Sequence, residues 1–173
     1  MDFLSIINQL FSFSAVAGQA LLIFFVVLLV LKRKNELAFF SRNALLFSFL
    51  LSFGGILGSL LYSEVIGYEA CELCWYQRIF LYPQAILFFT ALLKKDSGIF
   101  QYTIPLSIVG AVVAGYQYLL QMGFMPSLLC TADYTVSCAQ RFFMYFGYVT
   151  IPFMSLILFL LLIALGVIRK KVV

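Results

Sequence analysis

Residues 21–34 read Leu21-Leu22-Ile23-Phe24-Phe25-Val26-Val27-Leu28-Leu29-Val30-Leu31-Lys32-Arg33-Lys34. An unbroken apolar run stops at three cations, and nothing from Phe3 to Leu31 is charged. A stretch of that kind matches the about 20 apolar residues needed to cross the hydrocarbon core of a bilayer. A secretory leader would carry its basic residues ahead of the apolar run and a small-residue cleavage site after it. Here Asp2 precedes and the cations follow, so the segment reads as a retained anchor with its amino terminus outside. The remainder of the chain extends the argument. Of 173 residues, 64% are hydrophobic and 10% charged, and the mean hydropathy is +1.08. An average soluble domain is about 25% charged, so a soluble protein is excluded. The chain has no His, which removes the commonest metal and haem ligand.

Four more spans follow. Residues 43–63 form a second apolar stretch of one membrane thickness. A third centres on residues 79–93, and a fourth runs from about Tyr102 to Met122 with Pro105 tolerated in its first turn. The fifth lies within Phe142 to Ile168. Cytoplasmic connections accumulate Lys and Arg. Under a five-span count, Lys32, Arg33, Lys34, Arg42, Lys94, Lys95, Arg169, Lys170 and Lys171 share one side, and only Arg78 and Arg141 of the 11 basic residues lie on the other. The expected architecture is an all-α integral membrane protein, amino terminus out and carboxyl terminus in. The net charge of +4 is then a topology signal. A nucleic-acid surface would need a basic face on a soluble domain, and none is present.

That topology puts Cys71, Cys74, Cys130 and Cys138 in the two extracytoplasmic connections. Disulfides form and persist outside the cytoplasm, and an even cysteine count suits a disulfide framework. Structural staples are the plain reading. The C-x-x-C at 71–74 argues against it, because so small a ring removes little chain entropy; such pairs are redox-active or form metal knuckles. A four-cysteine zinc site would use C-x2-C as one half, but Cys130 and Cys138 are spaced too widely for the other half. The expectation is therefore no metal.

The uncharged run from Ile79 to Leu93 covers only about 22 Å at 1.5 Å per residue, short of the roughly 30 Å core. The helix must borrow residues upstream, which starts it near Cys74 and places Arg78 about one turn inside. An ionisable residue at that depth is a functional candidate, although an arginine near a helix end also snorkels outward. Cys74 and Arg78 stand at i, i+4 and share a helix face. A helix N-terminus and a guanidinium each favour the thiolate, the reactive form in disulfide exchange. Trp75, Tyr76 and Tyr82 are read as interface anchors in preference to the lining of a pocket for an apolar oxidant. In the second loop, the extended apolar run Phe124–Leu129 ends at Cys130. It fits either a partner's groove or the membrane surface.

At Cys71-Glu72-Leu73-Cys74-Trp75-Tyr76-Gln77-Arg78, followed by Pro83, and with a second cysteine pair one helical hairpin later, the chain resembles the DsbB/BdbC family of membrane disulfide-bond formation proteins. The resemblance covers about Ala44 to Ile168. It implies an antiparallel four-helix membrane bundle over 44–173, preceded over 1–43 by an additional N-terminal transmembrane helix and its basic connection. It also implies an oxidoreductase of the cell's cytoplasmic (inner) membrane. The enzyme would reoxidise a soluble extracytoplasmic thioredoxin-like oxidant of DsbA type and pass the electrons to a quinone, ubiquinone or menaquinone. By position, Cys130 forms the mixed disulfide, Cys138 attacks Cys71, Cys74 reacts with the quinone, and Arg78 sits beside the quinone headgroup. A vitamin K epoxide reductase-like bundle is the alternative oxidoreductase, and it fits less well because its C-x-x-C lies late in the bundle.

Overall fold

The computed structural model describes residues 3–125 and 137–172. The described chain is all-helical apart from one isolated bridge between Tyr145 and Val149. Its helices are α1 (Phe3–Val30), α2 (Lys34–Arg42), α3 (Ala44–Leu60), α4 (Glu72–Lys94), α5 (Phe100–Gln121) and α6 (Ile151–Val172). A π-helical turn, Leu61–Val65, continues α3, and a 3₁₀ turn, Ser97–Ile99, leads into α5.

Local chemistry sets the breaks. Lys32, at φ 54°, turns the chain out of α1. Lys95, in the left-handed conformation at φ 53°, ends α4 as a C-terminal cap residue does. Asp96 then accepts a 2.7 Å hydrogen bond from Gly98 N and starts the 3₁₀ turn. Asn43 closes α2 by donating its side-chain amide to Phe39 O at 3.0 Å.

Four helical segments among the described residues are long and apolar enough to cross a membrane: Leu4–Val30, Ala44–Val65, Ser97–Gln121 and Ile151–Val172. The protein is thus a multi-pass membrane protein. α4 has 23 residues and carries Glu72, Arg78 and Lys94, which lowers its hydropathy without shortening it; at 1.5 Å per residue it reaches about 34 Å. It starts where the short apolar run requires, upstream of Cys74. α6 begins at Ile151, inside the expected stretch, and runs past Ile168 to Val172; residues before it form a tight turn in which Phe146 and Gly147 have φ of 54° and 76°. Left-handed backbone is incompatible with a continuing helix, so the apolar residues from Phe142 onward do not join the span. Pro105 sits in the second turn of α5, and not in its first.

Helices α3, α4, α5 and α6 pack in a ring that α6 closes against α3, and α1 lies against α6 and α2. Half of the most apolar stretch of α6 is buried, against 17% in α1, so α6 is the interior helix and α1 the peripheral one. Close approach is bought by glycine: a Cβ at Gly110 of α5 would collide with the Phe159 ring of α6. Small residues at helix contacts are the usual device where lipid gives no hydrophobic drive to association. A first core cluster joins α1, α2 and α6 around Phe25, Leu37 and Leu161. A second joins α3 to α6 around Leu81, Phe88, Phe100 and Phe159.

Candidate functional site

A third, smaller cluster consists of Cys71, Leu73, Leu120 and Cys138, with Cys74, Val113 and Tyr116 packed against it. Cysteines from the two separate connections therefore meet at one end of the bundle. Cys71 occupies the N-cap position of α4 in extended backbone, and Cys74 lies in the first turn of that helix. Their Sγ atoms are 3.1 Å apart and share a hydrogen bond. Both are free thiols, whereas Cys138 is disulfide-bonded. Cys130 lies outside the described residues. The Cys71 thiol is held above its ordinary value, first by its hydrogen bond with Cys74 and then by burial. The proton between the two sulfurs therefore belongs to Cys71.

Gln117 of α5 is the residue that sequence reasoning missed. Its Nε2 donates to Cys71 Sγ at 3.1 Å and to Cys74 Sγ at 3.3 Å. Its Oε1 accepts from Gln77 Nε2 at 2.6 Å, which fixes the amide with its nitrogen toward the sulfurs. Both glutamines are buried. A buried amide in an apolar helix is costly unless paired, and that cost was the available signal for Gln117. Deeper in the bundle, Ser107 donates to Gln84 Oε1 at 2.8 Å and Gln84 donates to Phe80 O at 2.8 Å. That second pair satisfies itself and faces no cysteine.

Arg78, one turn beyond Cys74, donates from Nε to Ser59 Oγ at 2.9 Å and from Nη2 to Ser59 O at 3.3 Å. Its guanidinium carbon lies 4.9 Å from the centre of the Trp75 ring, a cation–π distance. Trp75 and Tyr76 are exposed, and Tyr82 does not line the cavity described next.

Cys74, Gln77, Arg78 and Gln117 form the polar end of a cavity of about 580 Å³, within the range of small-molecule sites. Most of its remaining walls come from α1, α3 and α6 and are largely apolar, and Ser63, Tyr68, Glu69 and Phe142 of the connections also line it. Tyr62 and Tyr68 stack at 5.9 Å and Tyr68 and Phe142 at 4.4 Å beside the polar end. Tyr62 Oη is buried with no hydrogen-bond partner among the described residues, and Tyr62 lines the cavity. A Cβ at Gly54 would meet nothing within 4 Å, so open space lies along α3 there.

The sequence profile of disulfide bond formation protein DsbB matches residues 41–168, which span all four helices of the ring. The chain belongs to the DsbB family. Relatives include the SPbeta prophage-derived disulfide bond formation protein B of Bacillus subtilis, 42% identical over 72% of this chain and 84% of its own. Disulfide bond formation protein C of the same organism is 36% identical over 70% of this chain and 91% of its own. A probable disulfide formation protein C of Halalkalibacterium halodurans is 37% identical over 75% and 96%. No solved structure matches the chain. Membership in the DsbB family makes the protein a membrane thiol oxidoreductase of disulfide formation.

Proposed function

We propose that this DsbB-family protein reoxidises a soluble, extracytoplasmic, thioredoxin-like thiol oxidant of DsbA type and delivers the electron pair to a membrane quinone, ubiquinone or menaquinone. The reading includes five spans in the cell membrane, α4 among them, with the amino terminus and all four cysteines outside and the carboxyl terminus inside. The observation that carries it is the position of the Cys71–Cys74 pair. One side packs with Cys138, and Cys74 opens on the other side to an apolar cavity next to Arg78.

The partner's thiolate attacks Cys130 of the Cys130–Cys138 disulfide and releases Cys138 as thiolate. Cys138 attacks Cys71 of an oxidised Cys71–Cys74 pair, and Cys74 leaves as thiolate. The partner's second thiol displaces Cys130, completing the partner's disulfide. Cys130 then displaces Cys71 from Cys138, so the outer disulfide is restored and Cys71 and Cys74 hold the electron pair as one thiol and one thiolate, the proton released by the partner's second thiol balancing the one on Cys71; the second proton that a quinone needs comes from solvent. Free Cys71 and Cys74 beside a bonded Cys138 match that stage.

The residues fit a quinone by their donor set: Arg78 and Gln117 stand with Cys74 at the polar end of a largely apolar slot. When bound, a quinone supplies a two-electron, two-proton acceptor. Arg78 would hold a headgroup oxygen. Gln117 steadies the Cys74 sulfur as negative charge gathers there, and Cys71 keeps the proton until Cys74 has reacted. The inner pair closes again to a disulfide as the two electrons leave.

Reconstitution into liposomes with a quinone and a reduced thioredoxin-like partner is the test. Quinone reduction should match partner oxidation mole for mole, Cys130→Ser and Cys138→Ser should each abolish exchange because neither can form the outer disulfide, and a partner lacking its second thiol should accumulate as a mixed disulfide on Cys130 of the unaltered protein. Partner oxidation that proceeds equally without quinone would overturn the acceptor. A membrane-impermeant thiol reagent should label reduced single-cysteine variants at 130 or 138 in intact cells; labelling only after lysis would overturn the orientation.

A further inference from the structure

The family match starts at residue 41, so α1 lies wholly outside it. Even so, Phe11, Ser14, Ala17, Gly18 and Leu21 of α1 line the cavity. Their three- and four-residue spacing places them along one helical face. α1 is seated at two points. A Cβ at Gly18 would lie 3.1 Å from Ile157 and 3.4 Å from Leu161 of α6, and one at Gly58 of α3 would lie 2.9 Å from the Phe11 ring. Between those seats α1 presents short side chains, Ser14 and Ala17, to the slot. Beyond Leu21 a second void of about 250 Å³ shares Leu21, Leu50, Leu51 and Leu161 with the first and reaches Phe25, Phe40 and Phe47. From Phe11 to Phe25 the path runs about 21 Å along α1 at 1.5 Å per residue.

We infer that α1 is a wall of the ligand site: it covers the slot between α3 and α6 and encloses the apolar tail of the quinone whose headgroup lies at Cys74 and Arg78. The inference rests on the quinone reading above. The four-helix ring alone would leave this slot open to lipid along the face that α1 covers, where a tail and lipid chains compete on equal terms. With α1 in place the tail meets fixed side chains, and the width of the slot at Ala17 and Leu21 sets which tails enter. α1 is therefore a specificity element that the ring of four lacks.

The test uses the full-length protein in detergent, with quenching of Trp75, the single tryptophan, as the binding signal. The probes are a decyl-tailed benzoquinone and its tail-less parent. Ala17→Phe and Leu21→Phe each place an aromatic ring in the slot without touching Cys74, Arg78 or Gln117 and without adding a second tryptophan. Both variants should bind the decyl-tailed probe about tenfold more weakly, since displaced methylenes lose their burial, and bind the tail-less probe as the unaltered protein does. Unchanged preference for the tailed probe in both variants would overturn the role of α1 and leave the redox reading standing. Equal loss of both probes would place α1 in support of the headgroup site and also overturn the tail wall. Failure of the unaltered protein to bind either probe would overturn the quinone reading, and this inference with it.

Discussion

Gln117 donates one amide nitrogen to two sulfurs, Cys71 Sγ at 3.1 Å and Cys74 Sγ at 3.3 Å, from a helix otherwise remote from the C-x-x-C in sequence. Hydrogen bonds to ionised acceptors contribute about 1.5–3 kcal/mol, and no other side chain is placed to serve both sulfurs among the described residues. Gln117→Ala should therefore slow electron transfer from the inner pair about tenfold to a hundredfold. Exchange between Cys130 and the partner should be unaffected. Stopped-flow measurement of the two half-reactions separates them, and equal slowing of both would show that Gln117 only supports the fold.

Arg78 is aimed by Ser59, which accepts from both Nε and Nη2. Arg78→Ala should raise the apparent KM for quinone by about tenfold or more, as expected for loss of a charged donor, and leave partner exchange near normal. Arg78→Lys should rescue only in part, because an ammonium lacks the planar fork that reaches Ser59 and the cavity together. Ser59→Ala keeps the charge but loosens its aim, so a smaller rise in KM is expected. An alanine variant with unchanged quinone dependence would make Arg78 an interfacial anchor.

Much of this arrangement is legible in sequence because the bilayer imposes it. Uncharged runs of membrane thickness located α1, α3 and α5, and the shortfall after Ile79 placed the start of α4 ahead of Cys74. The fifth apolar stretch bracketed α6 without fixing its start, since hydropathy does not see the left-handed turn at Phe146 and Gly147. Cys71, Cys74 and Arg78 declared themselves by type and spacing. Gln117 did not, because its partners lie 46 and 43 residues away. The role of α1 was equally hidden: short residues on an apolar helix become a wall only when α6 and α3 bring the slot to them.

The protonation order within the inner pair is open to direct measurement. The shared hydrogen bond, and then burial, hold the Cys71 thiol above its ordinary value, so at neutral pH Cys71 is protonated and poorly nucleophilic. Iodoacetamide should modify Cys74 first in the reduced protein, with Cys71 lagging until strongly alkaline pH. Cys74→Ala removes the larger cause, so the Cys71 profile should move to lower pH without reaching that of an exposed thiol. Mass spectrometry across a pH series reads both sites. Equal rates at Cys71 and Cys74 in the unaltered protein would contradict the assignment of the proton.

Stability should depend sharply on Gly110. A Cβ there would collide with two carbons of the Phe159 ring and sit 2.8 Å from a third, and Phe159 is fully buried between α5 and α6. A buried ring cannot swing aside as a surface side chain does, so relief requires the two helices to separate. Overpacking of a tight core typically costs about 1–3 kcal/mol, and in lipid no hydrophobic gain between helices offsets it. Gly110→Ala should lower the thermal midpoint in detergent, and Gly110→Val should lower it further. Gly54→Ala, on α3 with nothing within 4 Å of its Cβ position, should leave the midpoint near that of the unaltered protein. The contrast between the two glycines is the decisive reading: alanine is the better helix former, so similar losses at both would mean that the Phe159 contact does not set the loss.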